Sequence, residues 1–174
     1  MTGVRWGFRT TTGRFYCKLF MVLDPNEQQE FRSWSSCNVK SLKGKVQHFK
    51  EVFKHDEIVA IQETHLKKWQ EGRLPARLGF DGAVCSSYGA QARGTALLWK
   101  KPWKVHEECK VIDEEGRFAG AVLVKGDIKH IVVSLYAPNV DRTRRTREDY
   151  VSWLISVRHR ISLLQVKASK AVKT

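Results

Sequence analysis

The sequence predicts a layered α/β (α+β) fold, and two patterns in the chain support this prediction. The apolar residues of 42–53 follow a helical spacing, and the β-branched run at 58–61 behind them is typical of a strand buried on both faces. Farther on, two apolar stretches at 118–124 and 131–136 flank the turn sequence at 125–127, which indicates an antiparallel hairpin. A helix that leads into a buried strand, together with a separate hairpin, favours an architecture of stacked layers.

Local spacing predicts the remaining elements. Residues 1–36 show neither alternation nor a helical stripe and are predicted to be irregular. The first helix is predicted to begin at Leu42, the stretch 66–82 to be helix and loop, and 95–99 to be a strand. A final helix is predicted over 146–166 because its apolar residues recur at helical spacing. Those residues are Tyr150, Trp153, Leu154, Val157, Ile161 and Leu164.

Charge gives the first indication of a partner. The chain of 174 residues holds 31 Lys and Arg against 18 Asp and Glu, a net charge of +13. Residues 141–174 contain 9 basic and 3 acidic residues and so carry nearly half of that excess. Such a balance favours polyanionic partners, namely DNA, RNA or an anionic membrane surface.

Neither a membrane span nor a secretory signal is predicted. The best candidate run, at 19–23, is ended by Asp24 and Pro25 and is far shorter than the roughly 20 residues that cross a bilayer. The four cysteines form no Cys-x-x-Cys pair, so free thiols in a reducing compartment are expected. We therefore expect an intracellular protein, nuclear if it acts on DNA, without a membrane partner.

Four short segments carry a pattern that matches a known family. They are Cys37-Asn38-Val39, Ile61-Gln62-Glu63-Thr64-His65-Leu66, Ala92-Arg93-Gly94-Thr95-Ala96 and Leu135-Tyr136-Ala137-Pro138-Asn139. In this order and spacing they resemble the endonuclease/exonuclease/phosphatase superfamily. The closest likeness is to the apurinic-endonuclease-like domain of LINE-type retrotransposons, and the stretch 113–118 supports it.

This resemblance covers roughly residues 34–156. It implies a four-layer α/β/β/α sandwich, with two sheets face to face and helices outside. It also implies Mg²⁺-dependent cleavage of DNA phosphodiester bonds. The chain then divides into an irregular lead-in at 1–33, a partial nuclease domain at 34–156, and a basic C-terminal helix or tail at 157–174.

Glu63 is the candidate metal ligand on chemical grounds as well as by resemblance. Phosphodiester hydrolysis needs charge neutralisation on the phosphoryl oxygens, and a hard cation such as Mg²⁺ supplies it when a carboxylate holds the ion. Glu63 directly follows the predicted buried strand, where a rigid backbone would fix it. A single Glu at a strand end is otherwise an ordinary surface carboxylate, so the surrounding motifs decide between the two interpretations.

The resemblance assigns roles to four further residues. Asn38 matches the family's asparagine beside the metal, where an amide both donates and accepts. Tyr136 matches the tyrosine whose hydroxyl donates to the scissile phosphate. Asn139 and Arg93 are expected to contact backbone phosphates. Without the resemblance, Asn38 and Asn139 would be turn residues, Tyr136 a core or rim residue, and Arg93 a loop residue; His65 does not match the family's catalytic histidine.

The sequence also departs from the family pattern. Cys37 stands where the family usually has Trp, and Ser41 where it usually has Gly, which can strain a tight turn. The family's downstream Gly-Asp-Phe-Asn and Ser-Asp-His motifs, which orient the attacking water and stabilise charge, have no counterpart in these 174 residues. We therefore expect a truncated domain that binds Mg²⁺ weakly, whose activity is doubtful, and whose uncovered sheet edges invite a partner.

Two alternatives to a nuclease remain open. The first is a non-catalytic nucleic-acid-binding or interaction module that uses the basic tail from Arg142 and the lysines at 43–54 to bind DNA or RNA. The second keeps the fold and changes the substrate to a phosphoinositide or sphingolipid. Arg93 and Gly94, together with the LINE-like segments, argue against the lipid substrate.

Overall fold

A computed structural model describes residues 3–4, 23–24, 34–138 and 144–170. In these residues the fold is mixed α/β (α+β), as predicted. The strands are β1 Gly3–Val4, β2 Leu23–Asp24, β3 Trp34–Asn38, β4 Ile58–Gln62, β5 Gly82–Ser86, β6 Thr95–Trp99, β7 Lys110–Ile112, β8 Phe118–Lys125 and β9 Ile128–Leu135. The α-helices are α1 Val46–Val52, α2 Leu74–Leu78 and α3 Arg144–Lys170, and 3-10 helices occupy Lys68–Arg73 and Glu107–Cys109.

Two main sheets hold seven of the strands. The four-stranded sheet has the order β3-β4-β6-β5, with β3 parallel to β4 and the other pairs antiparallel. The three-stranded sheet has the order β7-β8-β9 and is antiparallel throughout. Strands β1 and β2 form a separate antiparallel pair.

The predicted hairpin is confirmed. Lys125 of β8 pairs with Ile128 of β9, which leaves a two-residue turn of Gly126 and Asp127. Gly126 has a φ of +59°, as the first position of a type II′ turn requires, and glycine adopts that conformation without steric strain.

Three buried apolar clusters hold these elements together. In the first, α1 and α2 pack on one face of the four-stranded sheet, and in the second, the other face of that sheet packs on the three-stranded sheet. In the third, α3 packs on the outer face of the three-stranded sheet. Strand β4 is buried on both faces, as predicted, because Val59 and Ile61 enter the first cluster while Ile58 and Ala60 enter the second.

The structure corrects several boundaries. Residues 34–36, predicted to be irregular, belong to β3, which is held by parallel pairing with β4 rather than by a pattern of its own. The first helix begins at Val46 and not at Leu42, because Gly44 has a φ of +73°, which a right-handed helix does not allow. Strands β1 and β2, which lie in the stretch predicted to be irregular, were not predicted, and neither were β5 and β7.

The final helix is longer than predicted, and one residue of its predicted stripe faces the solvent. Helix α3 runs continuously through the expected division at 156–157, from Arg144 to Lys170. Val157 and Leu164 are buried against the three-stranded sheet, whereas Leu154 is 43% exposed. Within the described residues, no helix combines the length and the apolar character needed to cross a bilayer.

Candidate functional site

Three of the predicted site residues meet at one end of the two main sheets. Asn38 is the last residue of β3, Glu63 follows β4, and Tyr136 follows β9. Because β3 and β4 are parallel, with Asn38 opposite Gln62, their carboxyl ends lie at the same edge. Asn38 Nδ2 donates a hydrogen bond of 2.9 Å to Glu63 Oε1.

Asn38 is held at both ends of its amide. While its nitrogen donates to Glu63, its Oδ1 accepts a 3.1 Å hydrogen bond from the backbone N–H of Lys40. The amide nitrogen of Asn38 is therefore used by the Glu63 carboxylate, and the amide oxygen is used by the backbone of the turn that follows β3. In this arrangement Asn38 positions Glu63, and its expected role as a metal ligand stays a prediction.

The Tyr136 hydroxyl also reaches Glu63. Burial raises the pKa of Tyr136 above its usual value, and the hydrogen bond to the Glu63 carboxylate raises that pKa further. The phenol is therefore protonated at neutral pH and is a hydrogen-bond donor. The Tyr136 backbone is fixed as well, because its N–H donates to Arg117 O at 2.9 Å and its carbonyl accepts from Arg117 Nη1 at 3.2 Å.

The backbone around the site is strained. Within the described residues, the non-glycine residues with a positive φ all lie in the loops that frame this end of the sheets. They are Lys40 (44°), Ser41 (75°), Glu63 (55°), His65 (53°) and Arg93 (58°). Such conformations cost about 1–3 kcal/mol each and persist only where the surroundings enforce them, so this end of the molecule is built around an unfavourable geometry.

Backbone hydrogen bonds between the loops enforce that geometry. Ser41 N–H donates to Glu63 O at 2.7 Å. His65 N–H donates to Arg93 O at 3.0 Å, and Thr64 N–H donates to Gly94 O at 3.1 Å. The three loops therefore hold one another, and the Ser41 position that departs from the family pattern is one of the strained ones.

A buried polar network lies beneath Glu63. Gln62 Nε2 donates to Ser36 Oγ and to Ser134 Oγ, both at 3.1 Å, and Ser134 Oγ donates to Ile61 O at 3.1 Å. These three side chains join β3, β4 and β9 across the two sheets. Sequence reasoning gave them no role, although Ser134 is a polar residue inside an apolar strand and so carries a detectable signal.

Arg117 is a second basic residue at the site that sequence reasoning missed. Arg93 and Arg117 flank the Glu115 carboxylate, with Arg93 Nη1 and Arg117 Nε each 3.8 Å from Glu115 Oε2. The guanidinium of Arg93 stacks on the Tyr88 ring at 4.4 Å, and that of Arg117 lies 5.4 Å from the Tyr136 ring centroid. Burial lowers the pKa of Arg117, and the positive charge of Arg93 lowers that pKa further.

Two adjoining clefts open onto this end of the molecule. One, of about 370 Å³, is lined by Glu63, His65, Gln91, Ala92, Arg93, Arg117 and Tyr136. The other, of about 460 Å³, shares Arg93 and Arg117 and extends to Trp153 and Arg160 on α3. Three arginines, Arg93, Arg117 and Arg160, therefore line the two clefts. They alternate with carboxylates, which are those of Glu63, Asp113, Glu115 and Asp149.

Two further points concern ligands. Asn139, expected to contact phosphate, lies outside the described residues. Among residues 34–138 and 147–170, no group of three or more His, Cys, Asp or Glu side chains surrounds a common point. Glu63 is the one acidic side chain among the described residues that line its cleft. A single carboxylate suits Mg²⁺ when water and phosphate oxygens complete its shell, as is usual for that ion.

Comparisons with known proteins add no assignment. No protein-family model matches the sequence, and no curated protein is significantly similar to it.

Proposed function

We propose that this chain is a retroelement-derived protein of the endonuclease/exonuclease/phosphatase type that binds a DNA phosphodiester group together with Mg²⁺. The observation that carries the proposal is the convergence of Asn38, Glu63 and Tyr136 at one sheet end, with Asn38 hydrogen-bonded to Glu63. The packing of α1 and α2, two sheets and α3 in successive layers supports the four-layer α/β/β/α sandwich of that family.

Each side chain has a separate task in the proposed site. Glu63 holds Mg²⁺, which supplies charge neutralisation on the phosphoryl oxygens when it is bound. Asn38 fixes the rotamer of Glu63 through its 2.9 Å hydrogen bond. Tyr136 donates its hydroxyl to a phosphate oxygen, for which it is protonated at neutral pH, and Arg93 supplies a guanidinium at the rim of the same cleft.

The test measures DNA affinity with and without Mg²⁺ at constant ionic strength. Divalent cations ordinarily weaken protein–DNA binding because they compete for phosphates, so a gain in affinity requires a site that binds ion and phosphate together. We expect Mg²⁺ to strengthen binding of a labelled abasic duplex to the wild-type chain and to weaken binding to Glu63→Gln. The control is Glu114→Gln, which removes the same charge from an exposed residue outside the clefts.

A non-catalytic basic nucleic-acid-binding module is the alternative, and the net charge of +13 favours it. That module would bind the duplex in the same way with or without Glu63, and Mg²⁺ would weaken binding in every variant. Equal Mg²⁺ responses of wild type and Glu63→Gln would therefore reject the metal-assisted site.

Cleavage by the 174-residue chain is a separate expectation. In a plasmid-relaxation assay with Mg²⁺, we expect nicking no faster than that of Glu63→Ala. Among the described residues, the lining of the Glu63 cleft contains no second acidic side chain that could orient a water molecule beside the proposed ion. Metal-dependent nicking that Glu63→Ala and Asn38→Ala both abolish, with EDTA as the blank, would contradict this expectation.

A further inference from the structure

The space between Arg93 and Arg117 is occupied by a carboxylate of the chain itself. Both guanidinium groups approach the same oxygen, Glu115 Oε2, at 3.8 Å. That distance is about 1 Å longer than the 2.7–2.9 Å of a charge-assisted hydrogen bond. The Glu115 side chain is 68% exposed, so it bridges the arginines loosely from the solvent side.

The two arginines are held more firmly than the carboxylate between them. The Arg117 side chain is only 11% exposed, and its Nη1 donates to Tyr136 O. Arg93 stacks on the Tyr88 ring and is held between the two clefts. Burial and the nearby charge of Arg93 lower the pKa of Arg117, whereas Glu115 and Asp113 act to raise it.

The loop that carries Glu115 is fixed at both ends. Asp113 Oδ1 accepts hydrogen bonds from Arg117 N–H at 3.0 Å and from Ser86 Oγ at 2.6 Å. Gly94 N–H donates to Gly116 O at 3.1 Å, which ties this loop to the loop of Arg93. The backbone therefore presents Glu115 to the arginines, while most of the Glu115 side chain is exposed to solvent.

We propose that Arg93 and Arg117 form a phosphate subsite for DNA beside Glu63, and that Glu115 occupies it as a built-in competitor until a phosphodiester group displaces it. This inference rests on the proposed function, because it names a second contact for the same bound strand. A phosphate group has several oxygens, whereas the two arginines share a single carboxylate oxygen of Glu115. A phosphate can therefore form short hydrogen bonds with both guanidinium groups at once. Glu115 then rotates outward, and only the fraction of molecules with Glu115 displaced binds the strand.

The competition sets the size of the expected effect. An exposed ion pair contributes little, so removal of the Glu115 charge should tighten duplex binding by about threefold to fivefold. Glu114→Gln removes the same charge from the neighbouring exposed residue, and long-range attraction alone should change its affinity by less than about twofold at physiological salt.

The experiment measures the dissociation constant of a labelled DNA duplex by fluorescence anisotropy for wild type, Glu115→Gln and Glu114→Gln. A double-mutant cycle with Arg93→Gln completes it. We expect tightening in Glu115→Gln, little change in Glu114→Gln, and a smaller tightening from Glu115→Gln when Arg93 is already replaced, because Glu115 then competes for Arg117 alone. Equal effects of the two glutamate variants, or a gain that is undiminished without Arg93, would overturn the inference.

Two further measurements distinguish failure of this inference from failure of the proposed function. If Mg²⁺ and Glu63→Gln show no linkage while Glu115→Gln still tightens binding more than Glu114→Gln, the proposed metal site fails and the phosphate subsite stands. Pyrophosphate binding, measured by calorimetry, shows whether the subsite binds the phosphates of DNA or a free phosphate compound. Tightening for pyrophosphate alone, with unchanged duplex affinity, overturns the assignment to DNA, and absence of duplex binding in every variant overturns both proposals.

Discussion

Gly94 lies between the loop of Thr64 and His65 and the loop of Gly116, and its lack of a side chain is essential there. Its φ is +92°, and a Cβ atom at this position would lie 2.3 Å from the Oγ1 atom of Thr64, which is 1% exposed. We expect Gly94→Ala to lower the free energy of unfolding by about 2 kcal/mol or more, from the backbone strain and the clash together. Chemical denaturation measures it.

Gly72→Ala is the matched control for that change. Gly72 has no positive φ, and a Cβ there would meet no atom within 4 Å. Its replacement should leave stability within about 0.5 kcal/mol of wild type. Similar losses in both variants would show that the loops do not depend on the close approach at Gly94.

Tyr136 gives the site a predictable response to pH. Its pKa is raised in the folded state, by burial and then by Glu63, so the folded protein retains a proton that the unfolded chain releases near pH 10. The associated stability is fully present below about pH 10 and is lost as the pH rises through the raised pKa. The unfolding free energy should therefore fall more steeply above pH 10 for wild type than for Tyr136→Phe.

Absorbance titration at alkaline pH provides the direct measurement for Tyr136. The difference between wild type and Tyr136→Phe should titrate with a midpoint above that of a free tyrosine. Tyr88→Phe is the control, because Tyr88 is 56% exposed and lies outside both clefts. A Tyr136 midpoint at or below the ordinary value would mean that its hydroxyl is not held by Glu63.

The sequence indicated part of the site because some of its residues sit in short local motifs. Asn38 ends a strand, Glu63 and Tyr136 each follow one, and the motif order allowed their convergence to be predicted. Arg117 and Glu115 belong to the site only through the approach of the 113–117 loop to Arg93, which no spacing along the chain encodes. For the same reason the network of Gln62 with Ser36 and Ser134 became visible only when the two sheets were packed together.

Among the elements, strands whose own sequence has a clear apolar pattern were predicted. Strands that form only because they pair with a neighbouring strand were not predicted. Strands β4 and β8 are apolar runs bounded by turn residues, so local sequence was sufficient. Strand β3 has the mixed sequence Trp-Ser-Ser-Cys-Asn and is held by parallel pairing with β4, a contact between residues 24 positions apart. Strand β7 has only three residues, which is too short for any periodicity.

Helix α3 forms the outer layer and lines one of the two clefts, and a buried leucine anchors it. Leu164 is fully buried against the three-stranded sheet, in the same cluster as Phe118 and Val133. We expect Leu164→Ala to lower the free energy of unfolding by about 2–5 kcal/mol, since it removes buried methyl groups and leaves a cavity. Leu154→Ala, on the same helix but 43% exposed, should change it by less than about 0.5 kcal/mol.

Thermal or chemical denaturation distinguishes these two leucine variants. If they lose equal stability, α3 is not docked through the face that contains Leu164. A large loss of unfolding free energy in Leu154→Ala alone would instead support the predicted orientation, in which Leu154 faces the core. Because both substitutions place alanine in the same helix, differences in helix propensity cancel between them.

On the scale of the whole molecule, the proposed DNA binding should depend on one end of the sheets more than on the other. Arg93, Arg117 and Arg160 line the clefts at the end that carries Glu63. Lys101 and Lys104 are exposed at the opposite end, where Lys100 N–H donates to Glu57 O just before β4 begins. The net charge of +13 does not by itself show which end contacts DNA. Removal of equal charge at each end, followed by a comparison of DNA affinities, answers that question.

The last prediction compares two double variants that remove equal charge. Arg93→Gln with Arg160→Gln should reduce the slope of log affinity against log salt by about 2, because each lost phosphate contact retains one condensed counterion on the DNA. Lys101→Gln with Lys104→Gln should leave that slope nearly unchanged while it lowers affinity slightly at low salt. Duplex affinity measured over a range of salt concentrations gives both slopes. If the lysine variant reduces the slope as much as the arginine variant, the DNA does not bind specifically at the clefts. The positive charge of the chain then attracts DNA diffusely, and not through this end of the sheets.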